Sequence, residues 1–177
     1  MLHTKKLTLS AFFLALGVVM PFFTGQIAGI GNMLLPMHIP VLLCGYICGW
    51  QYGMLVGMLT PLLRSVLAGM PVMLPTAVTM AFELAAYGIV VGLLYHILKE
   101  KVWGIYVSLI GAMLVGRLIW GTISVPVYGL AGKSFSWELF VTGAFTNALP
   151  GIVLQLVLVP ILVIFLKKAG VIAEYEG

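Results

Sequence analysis

Apolar residues run almost without interruption along this chain, and short polar breaks divide them into six segments. A first helix is expected over about 7–23, followed by a Gly-rich stretch, Thr24 to Pro36, that contains Gly25, Gly29, Gly31 and Asn32. Further helices are expected over about 37–49, 51–68, 73–98, 102–130 and 137–166. Crossing the hydrocarbon takes about 20 apolar residues. At the α-helical rise the second helix reaches only about 20 Å, which is short for a span. The Gly-rich stretch is therefore expected to dip back into the membrane, where non-helical backbone is tolerated only if buried in protein or lining a cavity. The expected fold is all-α: one integral membrane bundle of six transmembrane helices over residues 1–177, with a re-entrant first loop.

Composition sharpens this picture. Of 177 residues, 62% are hydrophobic and 8% charged, and the mean hydropathy is +1.17. A soluble domain needs far more charge to cover its surface, and six spans consume the length. The net charge of +4 does not indicate nucleic acid, because the lysines sit between helices and not on one polar face. Lys5 and Lys6 precede helix 1, Lys99 and Lys101 lie between helices 4 and 5, and Lys167 and Lys168 follow helix 6. With six spans these clusters share one side, and Lys133 stands alone on the other. The positive-inside rule then puts both termini in the cytoplasm and the 131–136 loop outside. Trp50 and Trp103 mark the inner interface and Trp137 the outer one. The run Leu7 to Phe23 comes after two lysines as a signal peptide would. No small-residue cleavage site stands out and the remaining chain is equally apolar, so the run reads as the first span.

Most candidate chemistry fails on inspection. Cys44 and Cys48 lie four apart in an apolar stretch, with no second pair of ligands to complete a metal site; they read as buried structural thiols. The run Gly129-Leu-Ala-Gly132-Lys133-Ser134 imitates the end of a phosphate-binding loop, but Val127 stands where the motif needs its first Gly. The chain contains no Asp, which removes a Ser/His/Asp triad. His3 and His96 sit near the inner boundary and read as solvated. Neither an enzyme nor a bound cofactor or metal is expected.

Polar residues inside the spans remain. Arg64, Glu83, Arg117 and Asn147 come from helices 3, 4, 5 and 6. An Arg at a helix centre costs about 2.5–3.5 kcal/mol on insertion scales, so each is expected to face the bundle interior. Counting along the helices puts all four near one level, about 20 Å from the inner ends for the arginines and about 15 Å from the outer ends for Glu83 and Asn147. Four polar groups from four helices at one depth outline a pocket. Thr76, Thr79, Glu83 and Tyr87 share one face of helix 4; Arg117, Trp120 and Ser124 share one of helix 5; Asn147 and Gln155 are placed together on helix 6. Trp120 would supply a flat wall, and His38, at the start of helix 2, would close the pocket from above. Glu83 either binds a ligand or pairs with Arg64 or Arg117 to lock the bundle. In both cases two arginines against one glutamate leave a positive charge that an anionic ligand would balance. On helix 1, Ala11 and Ala15 are four apart with Gly17 beyond, which leaves one side nearly bare for close helix approach.

These features resemble the substrate-binding (S) components of energy-coupling factor (ECF) vitamin transporters. The similarity covers nearly the whole chain: six helices, a long Gly-rich first loop, a short second helix, and Ala11-Phe-Phe-Leu-Ala15 matching the family's AxxxA motif. The segments Pro36-Met-His-Ile-Pro40 to Gly49 and Pro61-Leu-Leu-Arg64 to Pro71 look similar to a pantothenate-type subgroup. The resemblance implies capture of a water-soluble vitamin from outside. It implies docking through Ala11 and Ala15 onto a membrane scaffold subunit carried by two ATPases, and delivery inward by toppling, with ATP hydrolysed by those partners. Pantothenate ranks first because of the extra Arg; pyridoxine or hydroxymethylpyrimidine, bound through Glu83, comes next. Two rivals of other classes are a self-sufficient small transporter, which would show an inverted repeat, and a structural membrane subunit in which Arg64, Glu83 and Arg117 are packing ion pairs.

Overall fold

A computed structural model describes residues 2–25, 33–98 and 101–170. Among these described residues the chain forms six successive helical rods: α1 (Leu2–Thr24), α2 (His38–Cys48), α3 (Trp50–Ala68), α4 (Met73–Ile97), α5 (Val102–Leu130) and α6 (Trp137–Lys168). The fold is all-α, and among the described residues there is no strand. Four of the rods, α1, α4, α5 and α6, are long and apolar enough to cross a membrane. Most of the stretch expected to re-enter the bilayer, residues 26–32, lies outside the described residues, as does Lys99.

Local sequence sets the ends of these rods. Gly69 adopts a left-handed conformation at φ 69° and returns its N–H to the Ser65 carbonyl, closing α3. Ser136 caps α6 by accepting from the Leu139 N–H at 3.2 Å. Gly49, at φ 96°, turns the chain between α2 and α3. Two rods contain a wide turn. In α4 it covers Met73–Ala77, with the Ala77 N–H reaching the Val72 carbonyl and Leu74 extended. In α6 it covers Thr142–Thr146, with the Asn147 N–H on the Thr142 carbonyl. Each such turn holds an extra residue and rotates the downstream side chains around the helix axis. Prolines 21, 61, 126 and 160 lie inside helices, where neighbouring helices in a membrane bundle tolerate them.

The short helix is the centre of the molecule. Every residue of α2 is buried, and it packs against α1, α3, α4 and α6. A helix apolar on all sides has no face for water and is stable only when surrounded. Tyr46 ties it to α5, donating to the Ile105 carbonyl at 2.7 Å and meeting Ser108 Oγ at 2.9 Å. Cys44 and Cys48 are free and buried, and the Cys44 thiol donates to Ser10 Oγ of α1 at 3.7 Å.

Helices α3 and α4 cross on bare backbone. A Cβ on Gly53 would stand 2.8 Å from the Gly45 Cα and 3.0 Å from the Gly88 Cα, and one on Gly92 would stand 2.5 Å from the Trp50 nitrogen. A Cβ on Gly57 would collide with the Leu84 carbonyl. In lipid, helix association rests on close packing of this kind. Helix α1 is held in the same way: Gly17 faces α3, where its Cβ would be 2.7 Å from Thr60 Cγ2.

Candidate functional site

Among the described residues the bundle buries one ionic centre. Glu83, in the middle of α4, is 2% exposed, and its Oε1 stands 2.9 Å from Nη1 of Arg117 on α5, itself 8% exposed. The contact is an ion pair outside hydrogen-bond alignment, and Arg117 Nε has no hydrogen-bond partner among the described residues. His38, the first residue of α2, places Nε2 3.8 Å from the same Glu83 oxygen. Neither ring nitrogen of His38 finds a hydrogen bond among the described residues. Tyr87 lies one turn of α4 beyond Glu83 and tilts its ring against His38 with centroids 5.2 Å apart. A charge in a low-dielectric interior is tolerated only when paired, and Arg117 supplies that pairing for Glu83. A Cβ on Gly116 would collide with the Tyr87 ring, so a bare position beside Arg117 lets Tyr87 in.

Arg64 stands apart from this centre. It lies on α3, half-buried, with Nε donating to the Met70 carbonyl at 3.1 Å and its guanidinium 5.1 Å from the Phe22 ring centroid. Its Nη1 is buried without a hydrogen-bond partner, and no carboxylate among the described residues pairs with it. Arg64 and His38 both line a cavity of about 200 Å³, whose other walls include Pro21, Leu35, Met70 and Met80. His38 is thus shared: one side of the residue borders the cavity and the other approaches Glu83. The cavity opens at the end of the bundle where α1 finishes and where α3 turns into α4. That end is opposite Lys5, Lys6, Lys101, Lys167 and Lys168.

The remaining expected site residues fall elsewhere. Thr79 is buried, but its hydroxyl donates within its own helix, to Thr76 and Pro75 carbonyls at 3.0 and 3.2 Å. Trp120 stacks on Phe140 and meets Phe135 edge-on, in an aromatic cluster where α5 meets the start of α6. Asn147 is exposed, while Gln155 is 1% exposed with its side-chain nitrogen unpartnered. The two residues do not share a face: eight positions of regular helix already miss alignment by about 80°, and Asn147 comes directly after the wide turn. Ser124 is buried with its hydroxyl unpartnered. The expectation of one pocket holding Arg64, Glu83, Arg117 and Asn147 therefore gives way to an ion-paired centre and a separate cavity bridged by His38. On α1, Ala11 and Ala15 are exposed, whereas Gly17 is buried against α3. Two residues beyond Ala15 is a rotation of about 200°, so Gly17 belongs to the opposite face and not to the bare side expected to include it. The cavity's methionine and proline walls carry no charge or spacing signal in sequence; the Pro36-Met-His and Met70-Pro71 segments contain some of them, and Pro21 and Met80 lie elsewhere in the chain.

A helical membrane bundle with a buried ion pair and a small, partly cationic cavity beneath one end has the makings of a membrane protein that holds a solute. A family model described as the substrate-specific component of ECF transporters matches residues 5–163. The chain belongs to that family: it is a transporter subunit rather than an enzyme, and it works with an ECF scaffold and ATPase module on a small-molecule substrate. No curated protein and no solved structure matches it.

Proposed function

We propose that this S component captures a carboxylate-bearing, water-soluble vitamin outside the cell, with pantothenate the first choice. The observation that carries the reading is Arg64, a cation in a cavity of about 200 Å³ with no acidic partner among the described residues. Because Arg117 already neutralises Glu83, the surplus positive charge falls on Arg64, and a ligand carboxylate would balance it. His38 borders the same space with unpartnered ring nitrogens and would meet the ligand's neutral polar groups. Glu83, Arg117 and Tyr87 hold His38 from behind. A pyridoxine-type or hydroxymethylpyrimidine-type ligand would call on Glu83 directly, and its engagement with Arg117 places that reading second.

Both termini lie in the cytoplasm in this reading, by the lysine distribution, so the cavity faces outward for capture. Ala11 and Ala15 form the contact surface for the scaffold subunit, two ATPase subunits hydrolyse ATP, and this chain carries no cofactor of its own. Mass spectrometry of small molecules co-purified with the detergent-solubilised protein, followed by calorimetry against a vitamin panel, tests the proposal. One tight carboxylate ligand, bound without nucleotide, is the expected result. A tight ligand lacking any anionic group would overturn it.

A further inference from the structure

Arg64 sits one turn before α3 ends at Ala68. From such a place in a membrane helix an arginine can run its stem along apolar surface and lift its charged head to the nearby interface. Arg64 is held at two points instead. Its Nε donates to the Met70 carbonyl at 3.1 Å, and the Phe22 ring, near the end of α1, has its centroid 5.1 Å from the guanidinium carbon. That is within the about 6 Å at which the face of an aromatic ring attracts a cation. Between these restraints Nη1 is buried without a hydrogen-bond partner, and the side chain forms part of the cavity wall beside His38. Phe22 is not a core residue. It is 51% exposed, whereas its neighbour Pro21 is buried and belongs to the cavity wall.

The two restraints leave the anion-binding edge open. The Met70 carbonyl occupies Nε, while the ring attracts the charge through its quadrupole and supplies no acceptor atom, so Nη1 stays available. A guanidinium fixed beforehand loses less freedom when it forms a hydrogen bond. We propose that Phe22 is a positioning residue for anion capture: its ring holds the Arg64 guanidinium at the cavity and keeps it from swinging out to the interface. The proposal rests on the assignment of Arg64 to the ligand carboxylate, and adds the residue on another helix that makes Arg64 ready for it. Among the described residues that wall the cavity Phe22 is absent, so it acts through Arg64.

The test treats the purified, detergent-solubilised chain with phenylglyoxal, which modifies accessible arginines. Mass spectrometry follows each arginine separately, with the buried, ion-paired Arg117 as internal reference. In Phe22→Leu and Phe22→Met, Arg64 is expected to react roughly threefold faster than in wild type, and in Phe22→Trp at the wild-type rate, with melting temperatures unchanged. Calorimetry with pantothenate gives a second reading. Phe22→Leu is expected to weaken binding by about threefold to fivefold, and to have no effect once Arg64→Gln is present, as for two residues that act as one. Wild-type Arg64 reactivity in both aliphatic variants would overturn the proposal. So would a lower melting temperature in both, which would make Phe22 a packing residue, or faster reaction in Phe22→Trp, which would remove the aromatic role. An equal loss of pantothenate affinity with and without Arg64→Gln would overturn action through Arg64. Reactivity is read without ligand, so failure of pantothenate to bind would count against the pantothenate reading alone, and the Phe22 role would still be decided by Arg64 modification.

Discussion

Oε1 of Glu83 and Nη1 of Arg117 are 2.9 Å apart, and the two residues come from adjacent helices at the same depth, about 20 Å from the lysine-bearing end. That pairing makes Arg117 a structural residue first. Removing one member of a buried pair strands the other charge and costs about 3–5 kcal/mol, whereas replacing both by apolar groups of similar volume is often neutral. Arg117→Met is therefore expected to lower the melting temperature of the purified protein sharply, and the added change Glu83→Leu to restore most of it. A fall of less than about 1 kcal/mol in Arg117→Met would be smaller than a buried pair loses and would return Arg117 to the ligand.

Arg64 is expected to behave in the opposite way. Its guanidinium lines the cavity that His38 borders, with a buried, unpartnered nitrogen, and no carboxylate among the described residues depends on it. A charge-assisted hydrogen bond contributes about 1.5–3 kcal/mol, so Arg64→Gln should weaken binding of the anionic ligand by roughly tenfold to a hundredfold. Melting temperature without ligand should stay near wild type. Calorimetry paired with thermal unfolding reads both quantities, and a large loss of stability without ligand would contradict the assignment.

Much of the fold is legible in the sequence because lipid imposes simple rules. Long apolar runs give the rods, and the segment that begins at His38 is visibly short for a full span. Pattern alone does not convey which face each polar residue takes. Glu83 and Arg117 are inward as expected, because an unpaired charge has nowhere else to go. Asn147 loses little by exposure near the start of α6, and eight positions of regular helix already leave it about 80° around the axis from Gln155. The helix face of Trp120 suggests a ligand wall, yet three-dimensional packing gives it Phe135 and Phe140, residues far enough along the chain to be invisible to periodicity. Gly17 shows the same limit: small residues are visible in sequence, but whether each serves an inner or an outer contact depends on rotation.

The glycine crossing of α3 and α4 gives a third prediction. A Cβ on Gly88 would collide with the Gly53 backbone, and backbone cannot move aside as a side-chain tip does. Overpacking costs about 1–3 kcal/mol in ordinary cores. Gly88→Val should reach or exceed the top of that range, seen as a lower melting temperature and reduced yield of folded protein. Gly129, beside which there is open space, serves as the control, and Gly129→Ala should fold normally.

Orientation is the fourth. Ser134→Cys should react with a membrane-impermeant thiol reagent added to intact cells, and Lys101→Cys should react only after the membrane is opened. Native Cys44 and Cys48 are buried and give little background. The reverse pattern would invert the bundle, turn the Arg64 cavity toward the cytoplasm and remove the basis for capture from outside.

The last prediction separates holding the ligand from handing it over. On α1, Ala11 and Ala15 are exposed while Phe13 and Gly17 are buried, so the helix presents its small residues outward and packs its other face on α2 and α3. An outward face of small residues permits a second membrane helix to approach closely. Ala15→Trp places bulk there without touching the Arg64 cavity or the Glu83–Arg117 pair. The variant should fold, melt and bind ligand as wild type does, yet support no vitamin uptake in cells, because the scaffold helix is held off. Gly17→Leu should do the reverse, disturbing the contact with Thr60 and lowering the melting temperature of the isolated protein. Uptake at the wild-type rate by Ala15→Trp would place the scaffold contact elsewhere on the bundle. Loss of ligand binding in that variant would mean that α1 shapes the cavity through Pro21, which forms part of its wall.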